Sequence, residues 1–411
     1  MVTVKPFQAY RPQKGMESTI AALPYDVYNR AEALAEVKKN PKSFLAIDRA
    51  ETSFDDSVDT YDPKVYEQAS RLLKDAFADG SFVQDEKPMY YIYALTMQGR
   101  CQHGIVACAS IDDYVNGVIK KHENTRADKE IDRIRHVDTC SAQTGPIFLT
   151  YRSNAALKAV IEKVTALDAE ADFTSEDGIR HQVWKIAEEA DISCITQAFK
   201  SMDALYIADG HHRCASAVKV GLKRRQEDPD PTPDKEYNYF LSVIFPEEEL
   251  KILDYNRVVR DLNGHTPEEI LEAIEKNCYI KYCSDFKIAP RQKGQFSCIV
   301  DHKWYLYQIM EDRIPDDPVK SLDVSLLQDL VLEPVFGITD PRTDPRIDFV
   351  GGIRGLKELE KRCREDGKVA FAMYPTSIQE LLNVADAGML MPPKSTWFEP
   401  KLRSGLFIHV I

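Results

Sequence analysis

Three polar clusters, each bordered by apolar residues, hold the side chains of this chain best suited to chemistry. The densest is Asp209-Gly210-His211-His212-Arg213. Two imidazoles and a guanidinium beside a glycine suit an anion: glycine lets the backbone approach a phosphate closely, and arginine offers a bidentate donor fork. An earlier cluster reads Lys120-Lys121-His122-Glu123-Asn124-Thr125. A carboxylate among basic groups can serve as a positioned base, or hold a substrate amine or a metal. The last is Lys394-Ser395-Thr396 behind Pro392-Pro393, an ammonium and two hydroxyls on a stiffened loop. Phosphoryl transfer needs these parts, charge neutralisers around phosphate oxygens and a carboxylate to take the proton of an attacking hydroxyl. Each cluster also has a plain reading: a solvated charge run, a helix start capped by Asp209, an ordinary proline loop.

A metal centre is the competing chemistry. His122, His136, His211, His212 and Cys214 could offer nitrogen and sulfur, but none falls on an HExxH or CxxC spacing. Adjacent His211 and His212 do not readily face one zinc ion. A magnesium ion bridging phosphate and a carboxylate fits the pattern better than structural zinc. The chain has no GxxxxGK[ST] and no GxGxxG, so neither a P-loop nor a Rossmann site has support.

These clusters need elements to position them. Residues 205–208 are apolar and read as the end of a buried strand; Asp209-Gly210 is a turn; Cys214, Ala215, Ala217, Val218, Val220 and Leu222 then follow at helical spacing. A strand ends, the chain turns, and a helix opens with the histidines and Arg213 in its first turn, where unpaired N–H groups attract anions. A second helix is predicted over 128–140, with Ile131, Ile134 and Val137 inward and Lys129, Asp132, Arg133 and Arg135 exposed. Elsewhere the pattern predicts helices over 29–37 and from Pro63, a strand over 43–47, and a hairpin around Gln98-Gly99-Arg100. One strand and one helix are expected within 168–204. A helix over 322–331 should stop before Pro334, and the chain should end in a strand over 405–410.

With 411 residues the chain exceeds one ordinary core. The predicted fold is α+β, with parts over 1–110, 111–245 and 246–411. Lys and Arg number 53 against 66 Asp and Glu, a formal charge of −13, and no basic patch stands apart. Nucleic acid would be repelled. The nine cysteines are scattered and odd in number, which suits reduced thiols. The first residues lack the apolar core of a signal peptide, and no run approaches a membrane span, so a cytoplasmic protein is expected. Nothing in the pattern sets the oligomeric state.

The ordered motifs resemble those of the large bacterial family DUF1015: Pro24-Tyr25-Asp26-Val27, Lys121-His122-Glu123-Asn124-Thr125, Asp132-Arg133, Asp209 to Arg213, and Met391 to Thr396. More remotely the chain resembles the ADP-dependent free serine kinases of archaea, which have a ParB/sulfiredoxin-like fold. That likeness covers three patches in the same order: His122-Glu123, Ile207–Arg213 and Pro393-Lys394-Ser395-Thr396. After the last patch Trp397-Phe398 stand where those kinases carry Arg-His, and residues near 152–200 read as an insertion. Sulfiredoxins have a cysteine at the place of His211, which excludes their redox chemistry; the acidic charge argues against a ParB-like partitioning role.

The resemblance implies a small-molecule phosphotransferase interconverting serine and O-phosphoserine with ADP or ATP and Mg2+. Glu123 would be the base with His122 nearby, and Asp209 would hold the metal or orient the turn. Gly210, His211, His212 and Arg213 would cradle the phosphate, Lys394, Ser395 and Thr396 would close on it, and Lys121, Asp132 and Arg133 would support the site. The other reading is a nucleotide-binding sensor that keeps the cradle without turnover.

Overall fold

A mixed sheet of nine strands is the core of the first 250 residues. The computed structural model describes residues 1–411. They form two units, Met1–Leu250 with Pro400–Ile411, and Lys251–Glu399. In chain order the large sheet contains β1 (Val4–Lys5), β2 (Tyr90–Met97), β3 (Arg100–Ser110), β4 (Ile119–Lys120), β5 (Ile147–Tyr151), β6 (Ala171–Thr174), β7 (Arg180–Ile186), β8 (Leu205–Asp209) and β9 (Tyr239–Pro246). Their spatial order is β4-β8-β5-β9-β3-β2-β7-β6, with β1 beside β3.

The central strands are near-continuous apolar runs because both faces are covered. Tyr90 to Leu95 and Ile105 to Ala109 are all buried. The hairpin joining β2 to β3 turns at Gln98 and Gly99, whose φ values of 52° and 80° are those of a two-residue turn matched to strand twist. The expected boundary near residue 110 falls inside this sheet, since β9 pairs along β3 from Ser110 to Ile105. The 152–200 stretch supplies two strands, β6 and β7, and the helices Ala155–Thr165 and Glu189–Lys200; its strands extend the sheet at the end away from β4.

Two helices matter for the site, α1 (Ala127–Cys140) and α2 (His211–Glu227). The existence of α1 follows the prediction, but its faces are inverted. Glu130, Asp132, Arg133, His136 and Cys140 are buried, while Ile131 is 50% exposed. The polar stripe turns inward because its groups meet partners. Asp132 accepts from Tyr66 Oη at 2.9 Å, Arg133 stacks on the Tyr25 ring at 3.9 Å, and His136 Nε2 lies 3.2 Å from the Ile47 carbonyl. Buried polar groups are tolerated when so paired.

Lys251–Glu399 has its own antiparallel six-stranded sheet, in the order Cys278–Ser284, Lys303–Ile309, Gln295–Val300, Val369–Met373, Tyr255–Val259, Ile347–Gly351. The Cys278–Ser284 strand escaped prediction because its side chains are mostly exposed and lack alternation. Three further expectations are corrected. The 43–47 strand is a helical turn, Leu45–Asp48, which buries Leu45 and Ile47. The 322–331 helix runs on through a π-turn at Gln328–Leu332 to Phe336, and Pro334 sits in the first turn of Glu333–Phe336, where its missing N–H matters little. The final strand is only His409–Val410, paired with Ala142–Gln143. No helix is long and apolar enough to cross a membrane.

Candidate functional site

Two short parallel strands bring the first two clusters together. β4 lies beside β8, with Leu205 opposite Ile119 and Tyr206 opposite Lys120. Parallel strands end on the same side of a sheet, so His122-Glu123 after β4 and Gly210-His211 after β8 emerge side by side. This is the Lys121–Thr125 cluster meeting the Asp209–Arg213 turn.

Gly210 is the N-cap of α2 at φ 91° and ψ 32°, a left-handed conformation that glycine adopts without strain. A Cβ there would stand 3.1–3.3 Å from the Arg213 guanidinium, which folds back over the turn. Arg213 Nη1 donates to the Pro146 carbonyl at 2.8 Å. The first-turn N–H groups of α2 have no partner within the helix and face the turn.

The two adjacent histidines diverge. His212 Nε2 accepts the Arg126 backbone N–H at 2.9 Å. His211 turns the other way: its ring packs edge-on against His122, centroids 4.5 Å apart at 88°, and its Nδ1 lies 4.0 Å from Glu123 Oε2. His122 is 2% exposed and His211 6%. Neither nitrogen of His122 has a hydrogen-bond partner, nor does Nε2 of His211. Burial pushes His122 down to about 4, against the nearby Ile207 backbone, which favours the charged ring without forming a hydrogen bond. Burial and the neighbouring His122 push His211 well below the usual imidazole range. Both rings are therefore neutral at pH 7. Together with Glu123 they place three ligand atoms within 4.8 Å of one another. The spacing rules missed this set, because its members come from two strand ends far apart in sequence.

Asp209 ends β8. Its Oδ1 accepts the Gly210 N–H at 2.7 Å, and its Oδ2 meets Lys401 Nζ at 2.9 Å. Burial opposes ionisation, but Lys401 and Arg213 hold the carboxyl well below its usual range. Asp209 thus orients the turn, one of the two roles expected of it, with each oxygen bonded to a protein group. Lys121 is exposed. Asp132 and Arg133 form a buried pair, Nη2 to Oδ2 2.8 Å. Arg133 lines a polar cavity of about 270 Å³ with Tyr25, Asp48, Glu51, Tyr66 and His136.

The third cluster lies in the Lys251–Glu399 unit. Lys394 is exposed, has φ 59°, and holds its ammonium 5.6 Å from the Tyr255 ring centre. Ser395 is buried and its hydroxyl donates to the Pro392 carbonyl at 2.6 Å. Thr376 Oγ1 donates to the Ser395 carbonyl at 2.9 Å. These bonds brace the loop and occupy the Ser395 hydroxyl.

A mixed α/β protein with a glycine-hinged helix start, two buried neutral imidazoles and an adjoining carboxylate is the class so defined. The chain belongs to the family described as "Protein of unknown function (DUF1015)", whose profile matches residues 4–325. No curated protein sequence matches it. Among solved structures it is similar to SbnI with C-terminal truncation from Staphylococcus aureus, at 11% identity over 74% of this chain and 87% of that one, with a TM-score of 0.40. It is also similar to a mutant free serine kinase in complex with ADP, at 13% identity over 74% and 92%, TM-score 0.34. A third is a conserved hypothetical protein from Pyrococcus furiosus, at 14% identity over 74% and 94%, TM-score 0.32.

Proposed function

We propose that this chain is a phosphotransferase interconverting serine and O-phosphoserine, with ADP or ATP as its nucleotide partner. The observation that carries the reading is the parallel pairing of β4 with β8, which sets Glu123 beside the open start of α2. The ordered motifs that resemble those of free serine kinases point the same way.

In this reading the transferred phosphate sits on the backbone of Gly210 to His212, with His212 and Arg213 as side-chain donors. The helix start favours negative charge there. Glu123, partly exposed, takes the proton of the serine hydroxyl, and its carboxylate returns that proton in the reverse direction. Asp209 fixes the turn that aims the N–H groups. A magnesium ion carried with the nucleotide would supply further charge neutralisation.

Purified protein incubated with serine, Mg2+ and ADP or ATP should yield phosphoserine by phosphorus NMR. Glu123→Gln should lower turnover by about 10²–10⁴-fold, the usual span for general acid–base catalysis. Arg213→Ala should weaken nucleotide and phosphoserine binding. Turnover unaffected by Glu123→Gln refutes the base assignment. Nucleotide binding without turnover would instead make the protein a sensor.

A further inference from the structure

His122, His211 and Glu123 have a second chemistry that the phosphotransfer reading does not use. A buried polar nitrogen without a partner is costly. Here three such nitrogens lie on two rings in edge-to-face contact, beside a carboxylate oxygen. Neutral imidazole is the form of histidine that binds a metal.

We propose that His122, His211 and Glu123 form a binding site for one divalent transition-metal ion of the zinc class. Two imidazole nitrogens and one carboxylate oxygen are a ligand set such ions take, with a coordination position left open. Magnesium fits less well, because it prefers oxygen ligands and keeps its waters. The three ligand atoms lie within 4.8 Å of one another; a tetrahedral edge with bonds near 2.1 Å is about 3.4 Å, so the triangle must contract on binding. Glu123 is the partly exposed corner of the triangle.

This site does not depend on nucleotide or serine, so it is tested without them. The full chain, stripped with a chelator, is titrated with Co2+ and followed by its visible d–d bands, then with Zn2+ by calorimetry. One equivalent should bind. His122→Gln and His211→Gln should each weaken binding by about 100-fold or more, beyond the span seen for losing an outer partner of a ligand. His302→Gln, at an exposed turn of the other unit, should leave it unchanged. Should a histidine variant fail to fold, Glu123→Gln decides the matter, by weakening Co2+ binding and shifting its spectrum. Wild-type protein that binds no stoichiometric Co2+ or Zn2+ overturns the site, as does affinity unchanged in every ligand variant that folds. Phosphoserine formation is read separately, so either conclusion can fail without the other.

Discussion

Lys401 reaches Asp209 across 192 residues of sequence, its Nζ 2.9 Å from Oδ2. The last twelve residues return to the first unit after the whole of Lys251–Glu399 has intervened. They bring Leu406, Phe407 and Ile408 into its core and pin the carboxylate that shapes the Gly210 turn. A hydrogen bond between charged groups contributes about 1.5–3 kcal/mol. Lys401→Met should lower stability by about that amount in urea melts, without loss of fold. An unchanged midpoint would mean that Gly210 alone holds Asp209.

Asp132 and Arg133 offer a sharper energetic test, because both are buried and adjacent on α1. Breaking a buried pair by removing one partner costs about 3–5 kcal/mol, while replacing both with apolar residues is far milder. Arg133→Met and Asp132→Leu should each destabilise strongly. The double variant should recover much of the loss, though Tyr66 then lacks its acceptor. Strictly additive midpoints would show the two residues to be energetically independent.

The strand, turn and helix over 205–217 were legible in the sequence because apolar periodicity changes at Asp209-Gly210. For α1, period alone offered two stripes, Ile131-Ile134 and Glu130-Arg133-His136, on neighbouring faces of one helix. Only the partners, Tyr66, Tyr25 and the Ile47 carbonyl, decide which turns inward, and they lie far away in sequence. The meeting of His122 with His211 was hidden for the same reason: β4 has two residues and makes a parallel, non-local pairing that leaves no local pattern.

Gly210→Ala tests the turn itself. A left-handed alanine costs about 1–2 kcal/mol, and its Cβ would press on the Arg213 guanidinium at 3.1–3.3 Å. Stability should fall by that modest amount, while phosphate or nucleotide affinity should fall much further as Arg213 is displaced. Equal affinity in the variant would remove the turn from the binding surface.

His181 should make the first unit acid-sensitive. It is fully buried between the Tyr93 and Phe173 rings, with Arg403 Nε 3.4 Å from Nε2. Burial, helped by Arg403, pushes it down to about 3. Above about pH 6.5 the ring is neutral in both folded and unfolded chains and contributes nothing to the pH slope. As pH falls below that, the unfolded chain takes a proton that the native ring refuses. Stability should decline by about 1.4 kcal/mol per pH unit until the native ring titrates. His181→Gln should be less stable at pH 7 yet show a flatter decline between pH 6 and 4, by about one proton in the urea-melt slope. An identical slope would place the acid sensitivity elsewhere.

Cys101 is the thiol that stands apart from the other eight. Its Sγ lies 3.4 Å from His103 Nε2, and His103 Nδ1 is 3.1 Å from Glu249 Oε2. The thiol and the carboxylate together push His103 up to about 10. Burial opposes the thiolate most strongly, but the His103 and Thr96 hydrogen bonds and the His103 charge together outweigh it and Cys101 is lowered. By contrast burial pushes Cys140, Cys278 and Cys363 up to about 12. An ordinary thiol loses about tenfold in thiolate, and hence in reactivity, for each pH unit below about 8.5. Cys101 stays ionised further down, because the neighbouring imidazolium keeps its proton throughout that range. Alkylation by iodoacetamide, followed by peptide mass spectrometry, should therefore modify Cys101 at pH 6.5, where free cysteine added to the same sample slows steeply. His103→Gln removes the positive partner and should bring Cys101 back to ordinary pH dependence. If the two thiols slow in parallel in the wild type, the ion pair is not formed.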